Sequence, residues 1–275
     1  MKLFALLGHP LSHSFSKAYF SEKFEREKID ACYENFDLEN IEQLPQLINK
    51  HPDLCGFNVT IPYKEAIIPY LDFLDPDAKA IGAVNTVKVM DDGRMVGYNT
   101  DIVGIETTLT QVFTQPLSVR GTPKGTSVTP AGSYVVPLGH LATLSPVLIL
   151  GTGGASKAVQ YVLRKHHLPY HLVSRDPHKG DFTYETLTPE IIKSHLLIIN
   201  ATPVGMAPYI NKAPTIPYEA ITPQHILFDL IYNPEETLFL RHGREHGAKT
   251  INGLSMLYAQ AEASWAIWNK VRQGE

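Results

Sequence analysis

Apolar and polar positions along this chain recur with two different periods, and the changes of period delimit the elements. Residues 3–8 (LFALLG) are a short apolar run of strand length, and 31–37 (ACYENFD) forms a second strand. In 56–61 (GFNVTI), Phe57, Val59 and Ile61 alternate with Asn58 and Thr60, the period of a half-buried strand that Pro62 then stops. Helices are expected near 15–28 and 40–50, and a short one from Lys64 to Leu71. Strand and helix thus alternate through the first hundred residues, which argues for an α/β layer. GAVNTVKVM (82–90) and MVGYNT (95–100), joined by Asp91-Asp92-Gly93-Arg94, read as a hairpin, and a helix from about 101 to 113 leads away.

Residues 116–146 break the pattern. Of these 31 residues, 17 are Gly, Pro, Ser or Thr, which predicts a flexible loop insertion at a domain junction. A second series follows: VLILG (147–151), a helix to His167, YHLVSR (170–175), another helix, LLIINAT (196–202) and HILFDLIY (225–232). These strands are apolar on both faces, as parallel strands covered by helices are. The series looks complete by residue 240. A last helix, from about Leu254 to Val271, puts Leu257, Ala261, Trp265 and Trp268 on one stripe, so it must pack, and a return to the first domain is expected. The expected architecture is α/β and two-lobed, with a cleft between the lobes. Residues 1–104 and 240–275 form one lobe, and 105–239 form a Rossmann-type dinucleotide-binding lobe.

Composition narrows the class. A net charge of −4 leaves no general basic surface, so nucleic acid is not the expected partner. No run approaches a membrane span, and the apolar core of the N-terminal stretch is broken at Gly8-His9-Pro10 before any cleavage site. Cys32 and Cys55 have no metal or disulfide-framework spacing, which fits buried thiols and a cytoplasmic address. HGREH (242–246) matches an H-x-x-E-H zinc pattern, but Gly243 and Gly247 mark a helix end and no third ligand is evident, so no metal is expected.

Two stretches carry candidate chemistry. Lys64 stands just past a strand and a proline, at the mouth of a sheet, where an ammonium group is either solvated or placed for use. In LILGTGGASKAV, Gly151, Gly153 and Gly154 follow a strand and open a helix, where backbone amides can receive a pyrophosphate. A plain tight turn and a methyl-donor site are the other readings of that stretch. At the end of the next strand, Ser174-Arg175-Asp176 offers a guanidinium for a 2′-phosphate, whereas the Asp176 carboxylate fits an unphosphorylated ribose and keeps NAD open as an alternative to NADP.

Eight ordered stretches carry a resemblance: GHPLSHSFS (8–16), GFNVTIPYK (56–64), GAVNT (82–86), GYNTD (97–101), GTGGASKAV (151–159), NATPVGM (200–206), DLIYNPEET (229–237) and NGLSMLYAQA (252–261). Together they resemble the motif series of shikimate dehydrogenases. The resemblance implies an oxidoreductase that reversibly reduces 3-dehydroshikimate to shikimate with NADPH in aromatic amino-acid (chorismate) biosynthesis, acting on a small molecule as a monomer or homodimer. It implies Lys64 and Asp101 as the catalytic pair. Ser14 and Ser16 would hold the substrate carboxylate, with Tyr232 near it, and Thr60, Asn85 and Gln260 would contact ring hydroxyls. Gly151, Gly153, Gly154, Ala155, Ser174, Arg175, Thr202, Gly253 and Met256 would contact the cofactor. The chain departs from the family at Lys17, where proline is common, and at Ser174 and Asp176, where asparagine and threonine are common.

Overall fold

The computed structural model describes residues 1–11, 15–114 and 145–270. Its chain divides into two compact units, Met1–Asp101 with Gln260–Glu275, and Ile102–Ala259. Each unit is built on a six-stranded sheet.

In the first unit the strand order is β2-β1-β3-β5-β6-β4, from β1 (Lys2–Gly8), β2 (Ala31–Asp37), β3 (Leu54–Val59), β4 (Phe73–Leu74), β5 (Thr86–Val89) and β6 (Met95–Tyr98). β1 pairs in parallel with β2 and β3, while β3, β5 and β6 pair antiparallel through the expected hairpin. The two-residue period of β1 splits its side chains between two cores. Leu3, Ala5 and Leu7 join Phe57, Val59, Tyr63 and Ile67 on one face. Phe4 and Leu6 join Phe20 and Phe24 of α1 (Phe15–Arg26) and Ala261, Trp265 and Trp268 on the other. The last helix does return to this unit, and its stripe packs there.

Three expectations for this unit need correction. β3 is buried on both faces rather than half-buried: Asn58 is only 4% exposed, and its amide is satisfied inside the protein rather than by water. No α-helix forms over 64–71; the segment runs through turns into a 3-10 helix, Ile68–Tyr70. Pro69 explains this, because it lacks an N–H and its ring would collide with the carbonyl of residue 65 in an α-helix. The helix expected at 40–50 is likewise split by Pro45 into a 3-10 turn (Ile41–Gln43) and α2 (Leu44–Lys50). A short α3 (Pro76–Ile81), not anticipated, ends in a left-handed Gly82.

The second unit begins within α4 (Asp101–Thr114) and carries a wholly parallel sheet in the order β12-β11-β10-β7-β8-β9. Its strands are β7 (Val147–Leu150), β8 (Tyr170–Ser174), β9 (Phe182–Thr183), β10 (Leu197–Asn200), β11 (Ile226–Asp229) and β12 (Lys249–Ile251). Counted in chain order within the unit, this is the 3-2-1-4-5-6 order of a dinucleotide-binding fold, with its switch point between β7 and β10. Every residue of β7, β10 and β11 is buried, as their unbroken apolar runs predict. The sheet continues past residue 240, where the series was expected to be complete, because β12 pairs with β11. The helix expected between β8 and β10 shrinks to a five-residue α6 (Pro189–Lys193), after α5 (Gly154–Lys165). α7 (Leu238–Glu245) and α8 (Leu254–Asn269) complete the chain. Among the described residues, no helix is long and apolar enough to cross a membrane. The loop expected at 116–146 lies outside the described residues except for its last two positions.

Candidate functional site

Asp101 is the first residue of α4 and is 5% exposed. Three neighbours fix it. Lys64 Nζ donates to Oδ2 at 2.7 Å, Asn85 Nδ2 donates to Oδ1 at 2.9 Å, and the Asp101 amide donates to Asn99 Oδ1 at 3.2 Å. Asn99 is itself anchored on the Ala83 carbonyl, 2.8 Å from its Nδ2. Lys64 is delivered to this spot because its backbone is tied across to the hairpin, where Val84 N donates to Lys64 O at 2.7 Å. Its ammonium remains partly accessible, at 20% exposure. A buried carboxylate with one cation and one amide donor is a satisfied group, and each of its oxygens still has a lone pair to offer.

The orientation of Asn85 follows from its partners. Nδ2 must face the carboxylate, and Oδ1 must face the Thr100 amide, which donates to it at 2.7 Å. Gln260 Oε1 lies 3.5 Å from Asn85 Nδ2 and 3.4 Å from Thr100 Oγ1. Behind Asn85 a buried network runs through Thr86, Thr100 and Ser264, whose hydroxyls are 2.8 to 3.1 Å apart. It continues to Asn58, whose Nδ2 donates to Ser264 Oγ at 2.9 Å, and to Tyr33, whose hydroxyl donates to Asn58 Oδ1 at 2.8 Å. Ser16 hydrogen-bonds that phenol in turn, and burial holds the Tyr33 pKa well above its ordinary value. Lys64, Asn85, Asp101 and Gln260 are thus brought together, with Ser16 linked to them through side chains. Thr60 sits at the end of β3 with its methyl against Gly8, and Ser14 lies outside the described residues.

The second unit assembles the glycine turn. Gly151 leaves β7 at φ +100°, where a side chain would be strained and would press on Thr202 Cγ2 at 2.8 Å. Gly153 is the N-cap of α5 and has no side chain to cap the helix, so its first amides depend on another acceptor, a role an anion can fill. Among the described residues, a Cβ on Gly153 would meet nothing within 4 Å. Ala155 lies in the same first turn. This is a cradle whose chemistry fits a dinucleotide pyrophosphate.

Arg175 is exposed after β8. Asp176 is occupied within its own turn: Oδ1 accepts from the His178 amide at 3.0 Å and Oδ2 lies 3.6 Å from Lys179 Nζ. Ser174 is buried, and its hydroxyl accepts from the Asp176 amide at 3.1 Å. Thr202 is held by Asn200, whose Oδ1 accepts from Thr202 N at 3.0 Å and Thr202 Oγ1 at 2.7 Å. Gly253 packs so closely on the Leu230 carbonyl that any side chain would collide with it. Met256 is buried where α8 meets α4 at Gly104. Burial raises the pKa of Tyr232. His242 and His246 serve the end of α7, His246 Nδ1 lying 2.8 Å from the His242 carbonyl.

The model of the shikimate dehydrogenase substrate-binding domain matches residues 6–87. A shikimate dehydrogenase (NADP+) of Methanococcus maripaludis is 37% identical over 98% of this chain and 92% of its own length. The chain belongs to the shikimate dehydrogenase family. Among solved structures of the family, that from Thermus thermophilus in complex with NADP(H) and shikimate has a TM-score of 0.78 at 31% identity, covering 98% of this chain and 94% of that one. The Listeria monocytogenes family member in complex with shikimate and NAD has a TM-score of 0.73 at 26% identity, covering 98% and 91%.

The Asn58–Thr86–Ser264 network and the Asn200–Asp229 pair escaped the sequence reading. Thr86 and Thr100 lie inside the GAVNT and GYNTD stretches, beside Asn85 and Asp101, but no local pattern marks them as members of a network. Asn58 carried a signal, a polar residue in an apolar strand, that periodicity assigned to solvent.

Proposed function

We propose that this chain catalyses the NADP-dependent, reversible interconversion of shikimate and 3-dehydroshikimate in the cytoplasm. The observation that carries the reading is the 2.7 Å Lys64–Asp101 pair, held by Asn85 in a family whose relatives bear that activity in their names. Residues 1–101 with 260–275 hold the substrate groups, and residues 102–259 hold the cofactor groups together with Tyr232.

The pair suits an alcohol–ketone interconversion. Asp101 accepts a hydrogen bond from the reacting hydroxyl through a lone pair that Lys64 and Asn85 leave unused. Lys64 has three donors, of which Asp101 takes one, so the others can stabilise negative charge as it develops on the substrate oxygen. As that oxygen becomes a carbonyl, its proton passes to the Lys64–Asp101 pair and from there to water. Asn85 and Gln260 offer an amide donor and acceptor to the neighbouring hydroxyls. Bound NADP+ supplies the acceptor for the hydride. NADP is favoured over NAD because the Asp176 carboxylate is engaged by its own turn and by Lys179, leaving the Arg175 guanidinium to meet a 2′-phosphate. The free thiols of Cys32 and Cys55, both raised in pKa by burial, fit a reducing compartment.

Initial rates of shikimate oxidation with NADP+ and NAD+ side by side test the reading. The expected outcome is turnover with at least tenfold higher kcat/KM for NADP+. Preference for NAD+ would transfer the ribose to Asp176, and no turnover with either cofactor would end the assignment.

A further inference from the structure

The buried carboxylate of Asp229 has no part in the chemistry above. It ends β11 at 0% exposure, beside Asn200 at the end of β10. Three donors converge on it: Asn200 Nδ2 at 3.0 Å, the Ile231 amide at 3.0 Å and Thr237 Oγ1 at 2.6 Å. Among the described residues no cation pairs with it, and burial raises its pKa to about 6. Burying a carboxylate without a cation is costly, and an apolar residue would fill such a site more stably. What the carboxylate offers in return is acceptor capacity toward three separate segments.

Two of those segments lead to glycines expected at the cofactor, one to Gly151 of the cradle and one to Gly253. Through Asn200, Asp229 fixes the Thr202 loop, whose methyl lies against Gly151 at the switch point of the sheet. Through the Ile231 amide it fixes the turn whose Ile231 carbonyl accepts from Gly253 N at 3.0 Å and whose Leu230 carbonyl abuts Gly253. The third segment leads away: Thr237 is the N-cap of α7.

We propose that Asp229 is a positioning residue for the dinucleotide, its carboxylate holding the Thr202 loop and the 230–231 turn in the geometry that receives the cofactor. The inference rests on reading the glycine turn as the cofactor site. Because the two inward links and the outward one use different donors, substitution can separate them. Asp229→Ala removes all three, and Asn200→Ala cuts the link to Thr202. Thr237→Val cuts only the outward link, the bond to Asp229 Oδ2 together with the helix cap. Asp229→Asn keeps an acceptor for Asn200 and Ile231 and can donate to Thr237, so it is the conservative variant.

Calorimetric titration of the full chain with NADP+ alone, followed by steady-state kinetics, decides the matter. Asp229→Ala and Asn200→Ala should weaken NADP+ binding about tenfold or more, with the shikimate KM within about twofold of wild type. Asp229→Asn should recover affinity to within about threefold, and Thr237→Val should lower the melting temperature while leaving NADP+ affinity within about twofold. Unchanged affinity in the two Ala variants overturns the proposal, as does an equal loss in Thr237→Val, which would reduce Asp229 to a stability element. If Asp229→Ala does not accumulate folded, Asn200→Ala against Thr237→Val decides alone. Failure of the wild-type chain to bind NADP+ would overturn the cofactor reading itself, an outcome distinct from binding that no variant alters.

Discussion

Asp101 has a neighbour on each oxygen, and the two neighbours do different work. Lys64 supplies an ammonium group, whereas Asn85 supplies a neutral amide. Lys64→Ala should therefore lower kcat roughly 10²- to 10⁴-fold, the usual worth of a positioned proton-transfer group, with a smaller change in shikimate KM. Near-normal turnover in that variant would remove Lys64 from the chemistry. Asn85→Ala should act differently, because it also strips the acceptor from the buried Thr100 amide, 2.7 Å away. A loss of about 1–3 kcal/mol in stability is expected from the unpaired amide, together with a raised shikimate KM. Urea unfolding and steady-state rates on the same preparation separate the two effects, and an Asn85→Ala protein as stable as wild type would contradict the network. Lys64 was legible in the sequence as a charge set past a strand and a proline, whereas Asp101 was legible only through the family resemblance of its GYNTD stretch. Ser264 was not, since its hydroxyl meets Thr86 across 178 positions of chain and no local pattern encodes such a contact.

At the scale of elements, α8 shows how far a stripe can be read. The spacing of Ala261, Trp265 and Trp268 established that one face packs, and the structure supplies the partner. Trp268 stacks on Phe4 of β1 with ring centroids 4.8 Å apart, and its Nε1 donates to the Val87 carbonyl of β5 at 3.0 Å. The helix is further pinned to α1 by Glu262, which accepts from Lys23 Nζ at 2.9 Å. To reach Val87 the indole crosses β3 where Gly56 leaves room, and a Cβ there would sit 2.5 Å from Trp268 Cδ1. Gly56→Ala should thus displace the indole and cost about 1–3 kcal/mol, the range for overpacking a filled core. Intrinsic fluorescence should report it directly, since Trp265 and Trp268 are the two tryptophans of the chain. An unshifted emission maximum and an unchanged unfolding midpoint would show that the indole has slack. The segment 64–71 shows the converse limit. Its eight residues would make about two turns of helix, but Pro69 removes a donor within it, and a single imino acid outweighs the pattern.

For the whole molecule, the pH dependence of stability sets two buried groups of the second unit against each other. Asp229 is raised by burial from 3.8 to about 6, so its neutral form favours the folded state. Its contribution is fully present below 3.8 and is lost as pH rises through about 6, which leaves the ionised group costing up to about 3 kcal/mol at neutral pH. His195 has the opposite sign. Burial lowers its pKa below 6.5, so it contributes stability above that value and loses it as pH falls through its folded-state pKa. The wild-type profile between pH 4 and 8 therefore mixes a gain and a loss, and its slope alone identifies neither group. Asp229→Asn removes one of the two without removing the acceptor that Asn200 and Ile231 need. The variant should be more stable than wild type at pH 8, with the difference shrinking steadily toward pH 4. Because both tryptophans belong to the unit of residues 1–101 and 260–275, their fluorescence follows the other unit, and the second unit's transition has to be followed by circular dichroism. A stability difference that stays constant from pH 4 to 8 would mean that Asp229 is not the titrating group. A difference that reverses sign would mean that the three converging donors stabilise the carboxylate by more than burial destabilises it.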